Sequence, residues 1–134
     1  MNSPKLTKIM LVEDEMDIQT IAKFSLERIG HFTVFYCSSG KEALAAFKEF
    51  QPQIILLDMM MPEMDGMMTL GELNKFPEIK NTLVIFMTAK VQPSEIEEYK
   101  SKGAVDVIPK PFNPKELPEM LNTIWLKNQG ASND

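Results

Sequence analysis

The sequence contains a single cysteine, Cys37, and a single histidine, His31. One cysteine excludes an internal disulfide and favours a reducing compartment. Long apolar runs are also missing. None has the length of a membrane span, and the N-terminal run is too short, and too soon followed by acidic residues, for a signal peptide. We therefore expect a cytoplasmic protein with no membrane partner.

Basic segments are missing as well. The 14 Lys and Arg residues are outnumbered by 19 Asp and Glu residues, which gives a formal net charge of -5. No run of positive charge could displace counterions from phosphates, so we expect no nucleic-acid contact by this segment. The partners of this chain are expected to be proteins.

The hydrophobic content indicates one domain. Hydrophobic residues make up 44% of the 134 residues, which is enough for one core but not for two. We predict a domain over residues 1–127 and an irregular C-terminal tail over residues 128–134. No output domain follows that tail, so we expect either a stand-alone protein or a piece cut from a longer chain.

Short apolar runs alternate with longer segments of helical spacing, which is the pattern of an α/β protein. Several runs are almost continuous in Val, Ile, Leu and Phe, as expected for parallel strands that are covered on both faces. The predicted strands are residues 8–12, 32–36, 53–57, 82–87 and 104–108.

Capping patterns mark two of the predicted helix starts. Ser39 with Glu42, and Ser94 with Glu97, have the spacing of a capping box, in which a hydroxyl and a carboxylate satisfy free backbone amides. We therefore predict that Ser39 and Ser94 cap the second and fourth helices.

Two other helices leave alternatives open. Asn113 before Pro114 is typical of an N-cap followed by proline, but Pro118 would then remove a backbone hydrogen bond, so the last helix either starts late or bends. In the first helix Phe24 lies off the apolar stripe. We expect it to pack at the helix flank, and the alternative is an exposed contact for a partner.

Residues with chemically capable side chains follow the predicted strands at their carboxyl ends. Glu13 and Asp14 follow the first strand, Asp58 the third, Thr88 the fourth and Lys110 the fifth. In open parallel sheets, ligands bind at this edge, where the strand order reverses. We therefore expect these five side chains to meet in one crevice.

Three carboxylates in one crevice repel each other, by about 1 kcal/mol per close pair in water and several-fold more inside a protein. A divalent cation relieves this repulsion. Oxygen ligands without a nearby His or Cys favour Mg²⁺ over zinc. Asp14 and Asp58 are expected to bind the ion directly, and Glu13 through water.

Lys110 and Thr88 add a cation and a hydroxyl donor beside Asp58. Phosphoryl transfer to a carboxylate requires charge neutralisation and positioning, and this set could supply both. Asp58 is therefore the candidate nucleophile. The alternative is a site that keeps these residues only for structure.

Four motifs in chain order are similar to the response-regulator receiver domain of two-component signalling, the CheY-like family. They are LVEDE at 11–15, LLDMMMPEMDG at 56–66, MTA at 87–89 and KPF at 110–112. The resemblance covers nearly the whole chain. It implies a flavodoxin-like (βα)5 fold with a five-stranded parallel sheet of order 2-1-3-4-5 and helices on both faces.

The resemblance also implies roles for individual residues. Asp58 would accept a phosphoryl group from a sensor histidine kinase or a histidine phosphotransfer protein, and Gly66 would serve the loop after its strand. The implied magnesium ligands are Asp14, Asp58 and the backbone carbonyl of Met60, with Glu13 acting through water. The implied phosphoryl contacts are Thr88 and Lys110, and the Lys110–Pro111 peptide would be cis.

Three positions modify this expectation. Many relatives carry Tyr or Phe where this chain has Val107, so an aromatic switch is missing there. We expect the signal to pass through Thr88, its loop and the fourth helix, with Val107 as passive packing. Met60 and Lys90 occupy positions that tend to tune phosphoryl lifetime in this family, and the alternative is that both are ordinary solvent-facing residues.

Two other functions compete with phosphoryl acceptance: a phosphatase and a pseudo-receiver. A phosphatase with an aspartyl nucleophile needs a second acid two residues later, where Met60 cannot donate a proton. We therefore expect no enzyme activity beyond self-catalysed phosphoryl acceptance and slow autodephosphorylation. A pseudo-receiver that binds partners and never accepts phosphate is the alternative. In either case the downstream target is an unidentified protein.

Overall fold

A computed structural model describes residues 4–132, with side chains through Gln129. Five parallel strands form one sheet in the order β2-β1-β3-β4-β5. The strands are β1 (Lys8–Val12), β2 (Thr33–Cys37), β3 (Ile54–Asp58), β4 (Leu83–Thr88) and β5 (Asp106–Pro109). The expected strand order is confirmed.

Five helices connect the strands and cover both faces of the sheet. They are α1 (Met16–Lys23), α2 (Gly40–Phe50), α3 (Gly66–Leu73), α4 (Pro93–Ser101) and α5 (Leu117–Ser132). A π-helical segment (Phe24–Ile29) continues α1, and a short 3-10 helix (Pro77–Asn81) precedes β4. None of the helices between residues 4 and 132 combines the length and the apolarity needed to cross a membrane.

The strand sequences divide the core into two clusters because successive side chains point to opposite faces. In β1, Ile9 and Leu11 pack towards α1 and α5, and Met10 and Val12 pack towards α2, α3 and α4. The predicted near-continuous apolar runs are therefore buried on both faces. This confirms the α/β class and the layer of helices on each side.

Four of the predicted strands are displaced by one or two residues. The predictions stopped at the last apolar residue, but the ladder continues through Asp58, which pairs with Met87, and through Thr88, which pairs with Pro109. Backbone pairing, and not side-chain polarity, sets the end of a strand. Both polar residues are therefore held rigidly in the sheet.

The first helix departs from the predicted periodicity. The amide of Gly30 donates to the carbonyl of Ser25, an i to i−5 bond of 2.9 Å. A π-helical turn holds more residues than an α-helical turn, so the 3.6-residue stripe no longer applies. Ile29 is exposed, and Phe24 is 55% exposed. The expected flank packing of Phe24 is therefore wrong, and the alternative of exposure is found.

The capping predictions have mixed outcomes. Ser39 caps α2, where its hydroxyl accepts from the amide of Glu42 at 3.1 Å. The prediction for Ser94 is wrong, because Pro93 occupies the first helical position and Gln92 is the N-cap. The amide of Gln92 donates to the Glu95 carboxylate at 3.1 Å. Proline at the first helical position has moved the cap two residues towards the N-terminus.

The last helix starts late, as one of the two alternatives predicts. The side chain of Asn113 accepts from the amide of Lys115 in a preceding turn, and α5 begins at Leu117. Pro118 therefore lies in the first helical turn, where its missing N–H has no intrahelical partner to lose.

The boundary predicted at residue 128 for the C-terminal tail differs from the structure. Helix α5 continues to Ser132, and residues 133 and 134 lie outside the described part of the chain. The side-chain amide of Asn128 donates to the Ile124 carbonyl at 2.8 Å. Apart from Gly130, the segment consists of residues that a helix tolerates, and one glycine costs only about 1 kcal/mol relative to alanine.

Gly66 provides a test of the close packing behind Asp58. A Cβ at Gly66 would lie 2.8 Å from the Asp58 carbonyl oxygen and 2.9 Å from the Met59 Cα, whereas a Cβ at Gly71 meets nothing within 4 Å. We expect Gly66→Ala to lower the free energy of unfolding by about 1–3 kcal/mol through overpacking.

Gly71→Ala is the matched control in the same helix, and we expect it to raise the free energy of unfolding by about 0.5–1 kcal/mol. Urea denaturation of both variants provides the measurement. Equal effects of the two substitutions would contradict the close approach at Gly66.

Candidate functional site

The sheet register brings the acidic residues together. Asp58 is the last residue of β3, the strand that lies between β1 and β4. Leu57 pairs with Val12, so Glu13 and Asp14 emerge beside Asp58. On the other side Asp58 pairs with Met87, and Thr88 is the next residue of β4.

Lys110 bridges two buried carboxylates. Its ammonium lies 2.8 Å from Glu13 Oε1 and donates to Asp58 Oδ1 at 2.9 Å. Its backbone amide donates to the Thr88 carbonyl at 3.0 Å, which ties the loop after β5 to the end of β4. The Lys110–Pro111 peptide is cis, as predicted. Lys110 thus compensates part of the negative charge in the crevice.

Burial determines the protonation behaviour of this group. Burial raises the pKa of the Glu13 carboxyl from 4.5 to about 7, although hydrogen bonds from Lys110 and the Glu15 amide oppose the shift. Burial alone would lower the pKa of Lys110, but its hydrogen bonds and charge interactions with Glu13 and Asp58 outweigh that effect and the net pKa is raised. The ammonium therefore stays charged beside the carboxylates.

The three acidic residues have the arrangement of a cation site. Glu13, Asp14 and Asp58 each offer one carboxylate oxygen, and these three oxygens lie within 4.8 Å of one another. Within the described residues, Asp14 Oδ1 and Asp58 Oδ2 are buried and have no hydrogen-bond partner. Unpartnered buried carboxylate oxygens are costly, and a hard cation would satisfy them. The donor set fits Mg²⁺.

Glu13 is fixed from three directions. Its amide donates to the Cys37 carbonyl at 2.9 Å, and its Oε2 accepts from the Glu15 amide at 3.1 Å. The side chain of Gln19 on α1 donates to its carbonyl at 2.5 Å. The sequence analysis missed Gln19, because a helical glutamine carries no signal of such a contact.

The loops after β3 and β4 form the two sides of the mouth of the crevice. The amide of Met60 donates to Asp58 Oδ1 at 3.3 Å, and the amide of Lys90 donates to the Thr88 hydroxyl oxygen at 3.0 Å. The side chains of Met60 and Lys90 are exposed, whereas Thr88 is buried. The predicted roles of Met60 and Lys90 in phosphoryl lifetime remain predictions.

Tyr99 on α4 connects the β4 loop to that helix, and the sequence analysis also missed this residue. Its hydroxyl donates to the Lys90 carbonyl at 3.1 Å, and its ring meets Phe86 edge-on with centroids 5.4 Å apart. Tyr99 is the one aromatic residue in the largely polar helix PSEIEEYKS, which is the signal that could have identified it. Val107 is half-buried in the same cluster and pairs with Phe86.

The raised pKa of Glu13 predicts how the stability of the metal-free protein depends on pH. The folded state holds a proton on Glu13 up to about pH 7, but the unfolded state releases it near 4.5. Binding of this proton therefore stabilises the folded state fully below pH 4.5, and the stabilisation is lost as the pH rises through 7. We expect a loss on the order of 1–3 kcal/mol in the free energy of unfolding.

Urea denaturation between pH 4 and 8 in the presence of a chelator measures this loss. Glu13→Gln cannot titrate and should show a flatter profile, and Glu15→Gln, which is exposed, should retain the wild-type slope. Saturating Mg²⁺ should also flatten the wild-type slope because it favours the ionised carboxyl. Parallel profiles for wild type and Glu13→Gln would contradict the assignment.

Known proteins with similar sequences and structures include response regulators. Residues 9–122 match the family described as Response regulator receiver domain. The probable transcriptional regulator ycf27 of Porphyridium aerugineum is 35% identical over 127 residues, which cover 95% of this chain and 51% of that protein. The transcriptional regulatory protein SrrA of Staphylococcus aureus is 35% identical over 125 residues, which cover 93% of this chain and 50% of SrrA.

The chain thus spans about half the length of the curated relatives that it matches. Among solved structures, the chemotaxis protein CheY4 of Vibrio cholerae superposes with a TM-score of 0.82 at 28% identity, and the match covers 89% of this chain and 98% of CheY4. With the strand order, the acidic cluster and the bridging lysine in place, these matches lead to one conclusion. The chain belongs to the family of response regulator receiver domains of two-component systems.

Proposed function

We propose that this chain is a phosphoacceptor receiver in which Asp58 takes a phosphoryl group from a sensor histidine kinase or a histidine phosphotransfer protein. One observation carries the proposal: the Lys110 ammonium bridges Asp58 Oδ1 and Glu13, while Asp58 Oδ2 and Asp14 Oδ1 are buried without hydrogen-bond partners. A structural ion pair would leave no reason for two unpartnered carboxylate oxygens at the same point.

The reaction forms a bond between an Asp58 carboxylate oxygen and phosphorus as the bond between phosphorus and the phosphohistidine nitrogen breaks. The imidazole nitrogen leaves with the electron pair. Lys110 neutralises charge on the phosphoryl oxygens, and the Thr88 hydroxyl donates a hydrogen bond to one of them. Mg²⁺, when held by Asp14, Asp58 and the Met60 carbonyl with Glu13 acting through water, supplies the remaining positive charge.

The side chain of Met60 disfavours a dedicated phosphatase. Met60 lies two residues after Asp58, where such an enzyme needs a proton donor, and a thioether cannot donate one. The proposed activity is therefore self-catalysed phosphoryl acceptance and slow autodephosphorylation. Met60 and Lys90, on the two sides of the mouth, are proposed to tune the lifetime of the phosphoryl group.

The proposed output is a change in protein contacts. The Thr88 hydroxyl oxygen accepts from the Lys90 amide, and the Lys90 carbonyl accepts from Tyr99 on α4. Movement of Thr88 towards a phosphoryl group would therefore displace the loop and the helix that Tyr99 anchors. Val107 has no polar group to join this chain of contacts and serves as packing.

The downstream target is proposed to be a protein in the cytoplasm. Two curated relatives are described as transcriptional regulators, but this chain spans about half of their length. With a net charge of -5, the domain itself is proposed to contact neither nucleic acid nor membrane. Control of transcription is therefore proposed only for a longer protein that contains this domain.

Phosphoryl acceptance is tested by incubation with acetyl phosphate and Mg²⁺, followed by intact-protein mass spectrometry. We expect a gain of one phosphate that requires Mg²⁺ and is lost in Asp58→Asn. Asp17→Asn, an exposed aspartate on α1, is the matched control and should behave as wild type. Release of many equivalents of phosphate would indicate a phosphatase, and no mass gain would indicate a pseudo-receiver.

The transmission route is tested by NMR with beryllofluoride as the phosphate mimic. We expect backbone amide shifts across residues 88–103, because the Thr88, Lys90 and Tyr99 contacts are continuous. Tyr99→Phe removes the hydroxyl bond to Lys90 and should reduce the shifts in α4 while preserving those near Thr88. Val107→Ala should keep the wild-type pattern. Unchanged shifts across 88–103 in the wild type would contradict this route.

A further inference from the structure

Three methionines stand apart from the rest in their exposure to solvent. Of the methionines between residues 4 and 132, Met16, Met60 and Met68 are exposed by 67%, 66% and 53%. Met59 and Met61, the neighbours of Met60, are exposed by only 7% and 8%. A dissolved oxidant reaches the exposed thioethers first, and a buried thioether reacts only when the surrounding structure opens.

Met60 is distinguished from the other two by its position. It lies two residues after Asp58, and its amide is 3.3 Å from Asp58 Oδ1. Met60 therefore lies in the loop at the mouth of the crevice, and its side chain is exposed to solvent. Met16 is the first residue of α1, and Met68 is the third residue of α3, so both lie outside the loop that follows Asp58.

We propose that Met60 is an oxidative modification site through which peroxides shorten the lifetime of phosphorylated Asp58. The inference rests on the proposed function and extends it. The thioether sulfur attacks one peroxide oxygen, so that an S–O bond forms and the O–O bond breaks. Sulfur loses two electrons, the peroxide is reduced to water, and the products are methionine sulfoxide and water.

Oxidation reverses the polarity of the mouth. A thioether is a weak acceptor and excludes water, whereas a sulfoxide oxygen is a strong hydrogen-bond acceptor. The sulfoxide oxygen holds a water molecule beside Asp58. Hydrolysis of the acyl phosphate requires a water molecule at this place to attack the phosphorus atom.

Limited treatment with hydrogen peroxide tests the proposal. Peptide mass spectrometry first measures sulfoxide at each methionine, and phosphate loss from the phosphorylated protein then gives its half-life. We expect oxidation to shorten the half-life about two- to fivefold, the size of effect that one modest hydrogen bond produces. Methionine sulfoxide reductase should restore the original value.

Three variants locate the effect. The half-life of Met60→Leu should not respond to peroxide, because leucine has no sulfur. Met16→Leu, which removes an equally exposed thioether from α1, should respond as the wild type does. Met60→Gln places a permanent acceptor at the mouth and should shorten the half-life without any oxidant.

The outcomes separate this inference from the proposed function. Suppose that untreated protein accepts phosphate, but that sulfoxide at Met60 leaves the half-life of phosphorylated Asp58 unchanged. The inference is then overturned, and the receiver function stands. An equal response in Met60→Leu, or oxidation confined to Met16 and Met68, overturns it as well. If untreated protein accepts no phosphate, the proposed function fails, and the lifetime effect fails with it.

Discussion

The structure depends on holding three carboxylates and one ammonium at the edge of a buried sheet. Glu13 and Asp58 are almost completely buried, and like charges at this distance repel strongly in a medium less polar than water. Lys110 compensates part of this charge with contacts of 2.8 Å and 2.9 Å. Negative charge that Lys110 does not compensate remains at the site. The raised pKa of Glu13 and the unpartnered oxygens of Asp14 and Asp58 are consistent with it. A further cation, as proposed for Mg²⁺, would compensate this remaining negative charge.

The rest of the fold maintains this close arrangement of charged groups. Continuous apolar strands fix the register, so Asp58 cannot move away from the end of β1 or β4. Gly66 leaves room for the backbone of Asp58 and Met59, and the bond from Lys110 to the Thr88 carbonyl fixes the loop after β5. A rigid scaffold of this kind keeps charged groups close without the reorganisation that would otherwise separate them.

The surroundings of the crevice combine a buried connection with an exposed edge. Tyr99 links the loop after β4 to α4 from inside the core, at the place where Val107 offers only packing. Met60 faces solvent at the mouth. The proposed signal route through Tyr99 and the proposed oxidation site at Met60 therefore both adjoin the crevice around Asp58.

The sequence by itself determined the α/β class, the five strands to within two residues, and the placement of all five polar residues at strand ends. Its motifs, through their resemblance to receiver domains, supplied the strand order and the cis peptide. These features depend on local spacing or on short motifs, which a sequence displays directly.

Only the tertiary structure decided which side chains meet. Lys110 contacts Asp58 across 52 positions of sequence, and the depth of Glu13 follows from packing by α1 and the end of β2. The π-helical turn that continues α1, the N-cap at Gln92 and the contact of Tyr99 with Lys90 depend on hydrogen bonds that residue spacing does not specify. Burial and pairing are properties of the assembled sheet, and they set the charge balance of the site.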